Sequence, residues 1–79
     1  MGKLTEERRD IWKDVYRFYE EHWEIPDTSD AWAGCAADMA RIDNKYGGTP
    51  LARQLLMACY TAIEQDKRAA REAFNNACG

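Results

Sequence analysis

Apolar residues recur at helical spacing along three stretches of the chain, and polar turn residues separate these stretches. In residues 6–24, an advance of about 100° per residue places apolar and aromatic side chains on one arc and charged side chains on the opposite arc. This pattern predicts an amphipathic helix with a wide buried face. The predicted face contains Ile11, Trp12, Val15, Tyr16, Phe18, Tyr19, His22 and Trp23.

Capping and turn residues indicate where the helices begin and end. The signals are a threonine N-cap, a proline turn, a double glycine and a threonine-proline pair: Thr5, Pro26, Gly47-Gly48 and Thr49-Pro50. They predict helices over about residues 6–24, 29–46 and 50–77.

The second and third predicted helices each carry one apolar face. The second presents Trp32, Cys35, Ala36, Met39, Ala40, Ile42 and Tyr46, and its alanines predict close approach to the first helix. The third presents Leu51, Ala52, Leu55, Leu56, Cys59, Ala62, Ile63, Ala69, Ala70, Ala73, Phe74 and Ala77. Because the connections are short, we expect a single all-α domain, an antiparallel up-down-up three-helix bundle with a long third helix.

The third helix is predicted to project beyond the other two, with Ala69, Ala70, Ala73 and Phe74 on its apolar side. Three arrangements satisfy this pattern: the 25–30 connection folds under the projection, a second chain covers it, or it frays. The second arrangement raises the hypothesis of a homodimer.

Composition narrows the possible partners and the cellular setting. The chain has 79 residues, and eleven basic against fourteen acidic side chains give a net charge of −3, which disfavours nucleic acid. Neither a bilayer-spanning run nor a secretory signal is present, so we expect a cytoplasmic protein that does not enter membranes. Cys35, Cys59 and Cys78 lack metal-ligand spacing and are predicted to be reduced thiols.

The sequence contains no recognisable catalytic, cofactor-binding or metal-binding motif, and we expect no enzymatic activity. An ionisable residue interrupts the apolar face of each helix: His22, Asp43 and Asp66. Counting residues from the helix starts places His22 and Asp66 at a similar height, where they could form a hydrogen-bonded pair or reach solvent independently. For Asp43, a candidate partner is Arg8 near the start of the first helix.

Two binding functions fit the remaining features. The first helix's apolar arc is about 160° wide, which is more than two packed neighbours need to cover. A protein-interaction module would therefore use Tyr16 and Trp23 at the edge of this arc, together with Phe74, to contact an unknown protein partner or a second copy. The alternative, a DNA-associated regulator, would use Lys67, Arg68 and Arg71 on the third helix as phosphate contacts.

Two segments, IWKDVYRFYEEHWEIPDTSDAW and YGGTPLARQLLMACYTAIE, resemble short helical proteins of unassigned function from bacteriophages and mobile elements of Gram-positive gut bacteria. The shared features are the aromatic helix, the proline-threonine turn and the Thr-Pro helix start. This resemblance implies an accessory role, such as binding a host protein or another protein encoded by the element. It assigns no functional residue, because all the shared features are folding signals.

Overall fold

A computed structural model describes the backbone of residues 4–78 and the side chains of residues 4–73. Three helices form: α1 (Glu6–His22), α2 (Ser29–Lys45) and α3 (Pro50–Cys78). All three pack against one another, and no strand occurs within residues 4–78. The predicted all-α three-helix bundle with a long third helix is thus confirmed.

Side-chain caps begin the first two helices. The hydroxyl of Thr5 accepts a hydrogen bond from the Arg8 amide at 3.3 Å, and that of Thr28 accepts one from the Ala31 amide at 3.2 Å. Each bond satisfies an amide that lacks a partner within the first turn of its helix. After Lys45, Gly47 and Gly48 adopt positive φ angles of 62° and 73°, which allows the chain to turn sharply into α3.

One continuous apolar core joins the three helices. The α1 seam predicted from periodicity is buried, with Ile11 at 0%, Val15 at 4% and Phe18 at 1% exposure. The other buried side chains are Ile25, Cys35, Ile42, Ala52, Leu56 and Ile63. Within this core α1 contacts α3 more extensively than α2.

The buried face of α1 is narrower than its pattern predicts. Trp12, Tyr16 and Trp23 belong to the predicted arc, yet 49%, 68% and 47% of their surfaces are exposed. Two neighbouring helices cover only the Ile11, Val15 and Phe18 side of α1, and these aromatic residues lie outside that contact. The alanines of α2 differ similarly from prediction, because Ala36 and Ala40 face solvent.

The connection between α1 and α2 packs beside the upper part of α3. Ile25 in this connection is 3% exposed and joins the core, and Asp27 pairs with Arg71 of α3 at 3.2 Å. The connection therefore covers part of the projecting helix, which was one of the three arrangements expected. Ala69, Ala70 and Ala73 are nevertheless exposed, and the side chain of Phe74 lies outside the described residues.

None of the helices, as far as residues 4–78 show, is both long enough and apolar enough to cross a bilayer.

Candidate functional site

Four aromatic residues form a line along the outer side of α1, which we call the aromatic stripe: Trp12, Tyr16, Tyr19 and Trp23. Tyr19 is half-buried and packs against the core, whereas the other three are exposed. By helical rotation, the stripe is centred about 100° away from the Ile11, Val15 and Phe18 seam. The stripe is thus a second apolar surface on the same helix, distinct from the one that builds the core.

Basic side chains flank the amino-terminal half of the aromatic stripe. Arg9, Lys13 and Arg17 line a shallow depression together with Trp12 and Tyr16. This half of α1 therefore offers both apolar area and positive charge. Such a combination is typical of surfaces that bind other macromolecules.

Of the three predicted partner-contact residues, two lie together on this surface. Tyr16 and Trp23 are both exposed members of the aromatic stripe. The third, Phe74, has a side chain outside the described residues. Trp12, which belongs to the same predicted arc, is also part of the exposed surface.

A polar cluster joins the end of α1 to the middle of α2. The Nε2 atom of His22 lies 3.1 Å from Oδ2 of Asp38, and Arg41 donates to the Oδ1 atom of the same carboxylate through Nε and Nη2 at 2.9 and 2.7 Å. Of the two arrangements considered for His22 and Asp66, the hydrogen-bonded pair does not form: His22 contacts Asp38, and Asp66 is exposed. Asp14 of α1 bonds Lys45 and Tyr46 at the end of α2, which places Asp14 near the level of the turn before α3. His22, eight residues further along α1, is therefore level with a part of α3 that precedes Asp66.

The polar cluster connects α1 to α2 through the contact between His22 and Asp38. Burial alone would raise the pKa of Asp38, but hydrogen bonds from Arg41 and His22 and the charge of Arg41 hold this pKa below its ordinary value. Glu21, His22 and Asp38 also place three possible metal-ligand atoms within 4.8 Å of one another. Arg41 already donates to the Asp38 carboxylate, so a metal ion would have to compete with this guanidinium for the same ligand.

Two further ion pairs connect the helices. Lys45 donates to Asp14 at 2.8 Å, and Tyr46 donates to the same carboxylate oxygen. Arg53 of α3 donates to Asp43 of α2 at 3.0 Å, so the expected pairing of Asp43 with Arg8 is wrong. The lower ends of α2 and α3 are adjacent through the Gly47-Gly48 turn, which brings Arg53 rather than Arg8 to Asp43.

The basic residues proposed for nucleic-acid contact do not form a free cationic surface. Arg68 lies 3.6 Å from Glu64, and Arg71 lies 3.2 Å from Asp27. Lys67 is only partly exposed. Within residues 4–73, no ion pair joins Lys67, Arg68 or Arg71 to the acidic residues at the end of α1.

Asp38 of α2, which contacts α1 through His22, is a residue that the sequence analysis did not single out. It lies three residues after Cys35 and four before Ile42, the two fully buried residues of α2. A carboxylate at this spacing must border the buried face, where it needs a donor from a neighbouring helix. This spacing could have identified Asp38 as a partner of His22.

Cys35 and Cys59 are free thiols, as expected, and Cys78 lies beyond the described side chains. Burial raises the pKa of both described thiols, and the carboxylate of Asp38 adds to the effect at Cys35. A raised pKa lowers the thiolate fraction at neutral pH, so these two residues are packing groups with little nucleophilic character.

Comparison with known proteins yields no protein family, no curated protein and no solved structure that matches this chain.

Proposed function

We propose that this chain is a small, non-enzymatic protein-interaction module that binds its partner through the aromatic stripe of α1. The exposure of Trp12, Tyr16 and Trp23 on one helical face carries the proposal. Large aromatic side chains are the residues most often found at the energetic centre of protein interfaces. These three rings contribute little to the stability of the fold, because they lie on a side of α1 that does not pack into the core.

The partner's chemistry follows from the dimensions of the stripe. Its four residues lie within twelve positions, and the eleven steps from Trp12 to Trp23 cover about 16 Å along the helix axis. An apolar helix or groove of another polypeptide matches a linear surface of this length. The resemblance to phage and mobile-element proteins supports an accessory role for such a contact. We propose that the protein acts in the cytoplasm.

Nucleic acid is the competing partner, because Arg9, Lys13 and Arg17 lie beside aromatic rings that could stack on bases. Acidic residues disfavour it at the other end of the stripe, where Glu20 and Glu24 are close in sequence to Trp23 and would repel phosphates. On α3, Arg68 and Arg71 already have carboxylate neighbours. The charge pattern therefore favours a protein partner.

The test is affinity capture from native cells with the wild-type chain and two single variants. Tyr16→Ala removes the most exposed ring of the stripe and should abolish capture of a specific protein. Met57→Ala is the matched control, because Met57 is 55% exposed on α3 and should leave capture unchanged. Circular dichroism verifies that both variants remain helical.

Capture that persists in the Tyr16 variant would contradict the proposal. So would a wild-type chain that retains no protein but binds a fluorescent single-stranded oligonucleotide at low salt. Electrostatic binding of nucleic acid is strongest under that condition, which makes the second measurement sensitive.

A further inference from the structure

The order of residue types in the aromatic stripe is the same when α1 is followed from either end. Its residues occur in the order Trp12, Tyr16, Tyr19, Trp23, with spacings of four, three and four. This order is symmetric about a point between Arg17 and Phe18. This order suits an antiparallel contact across a two-fold axis, because each ring then meets a residue of the same type at its symmetric position on the other copy.

The spacing is that of a helix-helix seam. Alternating intervals of three and four residues keep side chains on the line where two helices touch. The backbone of Trp23 remains in the right-handed helical region, with φ −64° and ψ −28°, and its amide donates to the Tyr19 carbonyl at 2.8 Å. All four residues of the stripe therefore follow one helical path.

The charges beside the stripe have opposite signs in its two halves. Arg9, Lys13 and Arg17 lie in the amino-terminal half, and Glu20 and Glu24 lie in the carboxy-terminal half. Within residues 4–73, none of these five side chains forms an ion pair.

This distribution is unfavourable for an isolated helix. Arg9, Lys13 and Arg17 are spaced four residues apart, as are Glu20 and Glu24, and like charges at this spacing repel. Glu20 also places negative charge in the last turn of α1, where it opposes the helix dipole. An antiparallel copy of α1 would place the negative half of one helix against the positive half of the other.

We propose that the occupant of the aromatic stripe is a second copy of this chain, whose α1 packs antiparallel across a two-fold axis at residues 17 and 18. Trp12 then opposes Trp23 of the second copy, and Tyr16 opposes its Tyr19. On the flank, Lys13 and Glu20 of the second copy are offset by about 3 Å along the axis, within reach of a salt bridge. A parallel pairing would instead bring Lys13 beside Lys13 and Glu20 beside Glu20.

The available area predicts a reversible dimer. A fully buried aromatic side chain removes about 150 to 250 Å² from water, so the exposed fractions of Trp12, Tyr16 and Trp23 offer roughly 370 Å² per chain. With the charged flanks, two copies would bury about 1,000 Å², near the lower end for a specific interface. Association should accordingly depend on protein concentration.

This inference rests on the proposed function and is tested by sedimentation equilibrium at several loading concentrations. The wild type should shift from monomer to dimer mass as concentration rises. Tyr16→Ala should weaken the dimer on the order of tenfold or more, because the ring is lost from both copies. Met57→Ala should dimerise like the wild type.

Charge exchange tests the antiparallel orientation. Lys13→Glu and Glu20→Lys should each weaken self-association on the order of tenfold, because each creates two like-charge contacts. An equimolar mixture of these two variants should form heterodimers more tightly than either variant associates with itself. The double variant K13E/E20K keeps the net charge of the wild type and should restore the homodimer.

A wild type that is monomeric at every concentration would overturn the inference, as would a dimer insensitive to both Tyr16 and the charge variants. If the wild type is monomeric but still captures a different protein in a Tyr16-dependent manner, the second copy is excluded and the proposed function stands. If capture also ignores Tyr16, both proposals fail.

Discussion

At the scale of single residues, Asp38 and Asp14 connect α1 to α2 through their carboxylates. Asp38 binds His22 and Arg41, and Asp14 binds Lys45 and Tyr46. Burial raises the pKa of each carboxyl group, but hydrogen bonds and nearby positive charge outweigh that effect and lower both values. Each aspartate therefore binds a proton more readily in the unfolded chain than in the folded one.

The sign of the pH dependence follows from these lowered pKa values. The stability contributed by Asp14 and Asp38 is fully present above the pKa of an unfolded aspartate, about 3.9, and is lost as pH falls through the lower folded values. We expect the melting temperature of the wild type to fall below about pH 4. Asp14→Asn/Asp38→Asn should melt at a lower temperature at pH 7 and show a flatter acid dependence. Thermal melts followed by circular dichroism between pH 7 and pH 2 measure both effects, and parallel curves for the two proteins would contradict this account.

At the scale of the elements, two glycine residues show how a position inside a helix differs from one just beyond its end. Gly34 lies inside α2, where a Cβ would meet no atom within 4 Å, and Gly47 lies after α2 with a positive φ of 62°. Replacing glycine by alanine reduces the conformational entropy of the unfolded chain at both sites. Only at Gly34, where the backbone is helical, does alanine also fit the folded conformation without strain. The same substitution should therefore have opposite effects at the two positions.

Gly34→Ala should raise the free energy of unfolding by about 0.5 to 1 kcal/mol, and Gly47→Ala should lower it by about 1 to 2 kcal/mol. For a domain of this size, each 1 kcal/mol corresponds to about 4 to 8 °C in melting temperature. Urea titration of the two variants beside the wild type measures the difference. Equal shifts of the same sign would show that backbone conformation does not control these sites.

The elements are also where sequence reasoning succeeds and fails. Thr5, Thr28 and Gly47 mark their helix ends through bonds and angles within a few residues, so local sequence predicts them. The pairing of His22 with Asp38 instead depends on how far α1 extends below α3, which only packing among the helices decides. For Tyr16, the width of the apolar arc predicted from periodicity already exceeded what two neighbours cover, and the ring is exposed at its edge.

At the scale of the whole molecule, one core holds three helices together in a chain with little stability to spare. Phe18 is the largest fully buried side chain, at 1% exposure, and it lies on the α1 seam that meets both other helices. Small domains derive only a few kcal/mol of net stability from such a core. A single cavity at Phe18 can therefore remove most of it.

Phe18→Ala should cost about 3 to 5 kcal/mol and leave no cooperative thermal transition. Tyr16→Ala, two residues earlier on the same helix, should retain a wild-type transition within about 0.5 kcal/mol because its ring is exposed. Differential scanning calorimetry distinguishes the two outcomes. A cooperative transition in the Phe18 variant near the wild-type temperature would mean that the core does not depend on this ring.

The projection of α3 gives the molecule extents of 54 × 29 × 17 Å and a radius of gyration of 15.1 Å, whereas a compact chain of this length has about 12 Å. An elongated particle has a larger Stokes radius than a sphere of equal mass. On a gel-filtration column, the monomer should therefore elute ahead of its true mass and resemble a larger globular species. Light scattering at the elution peak would give the mass independently of shape.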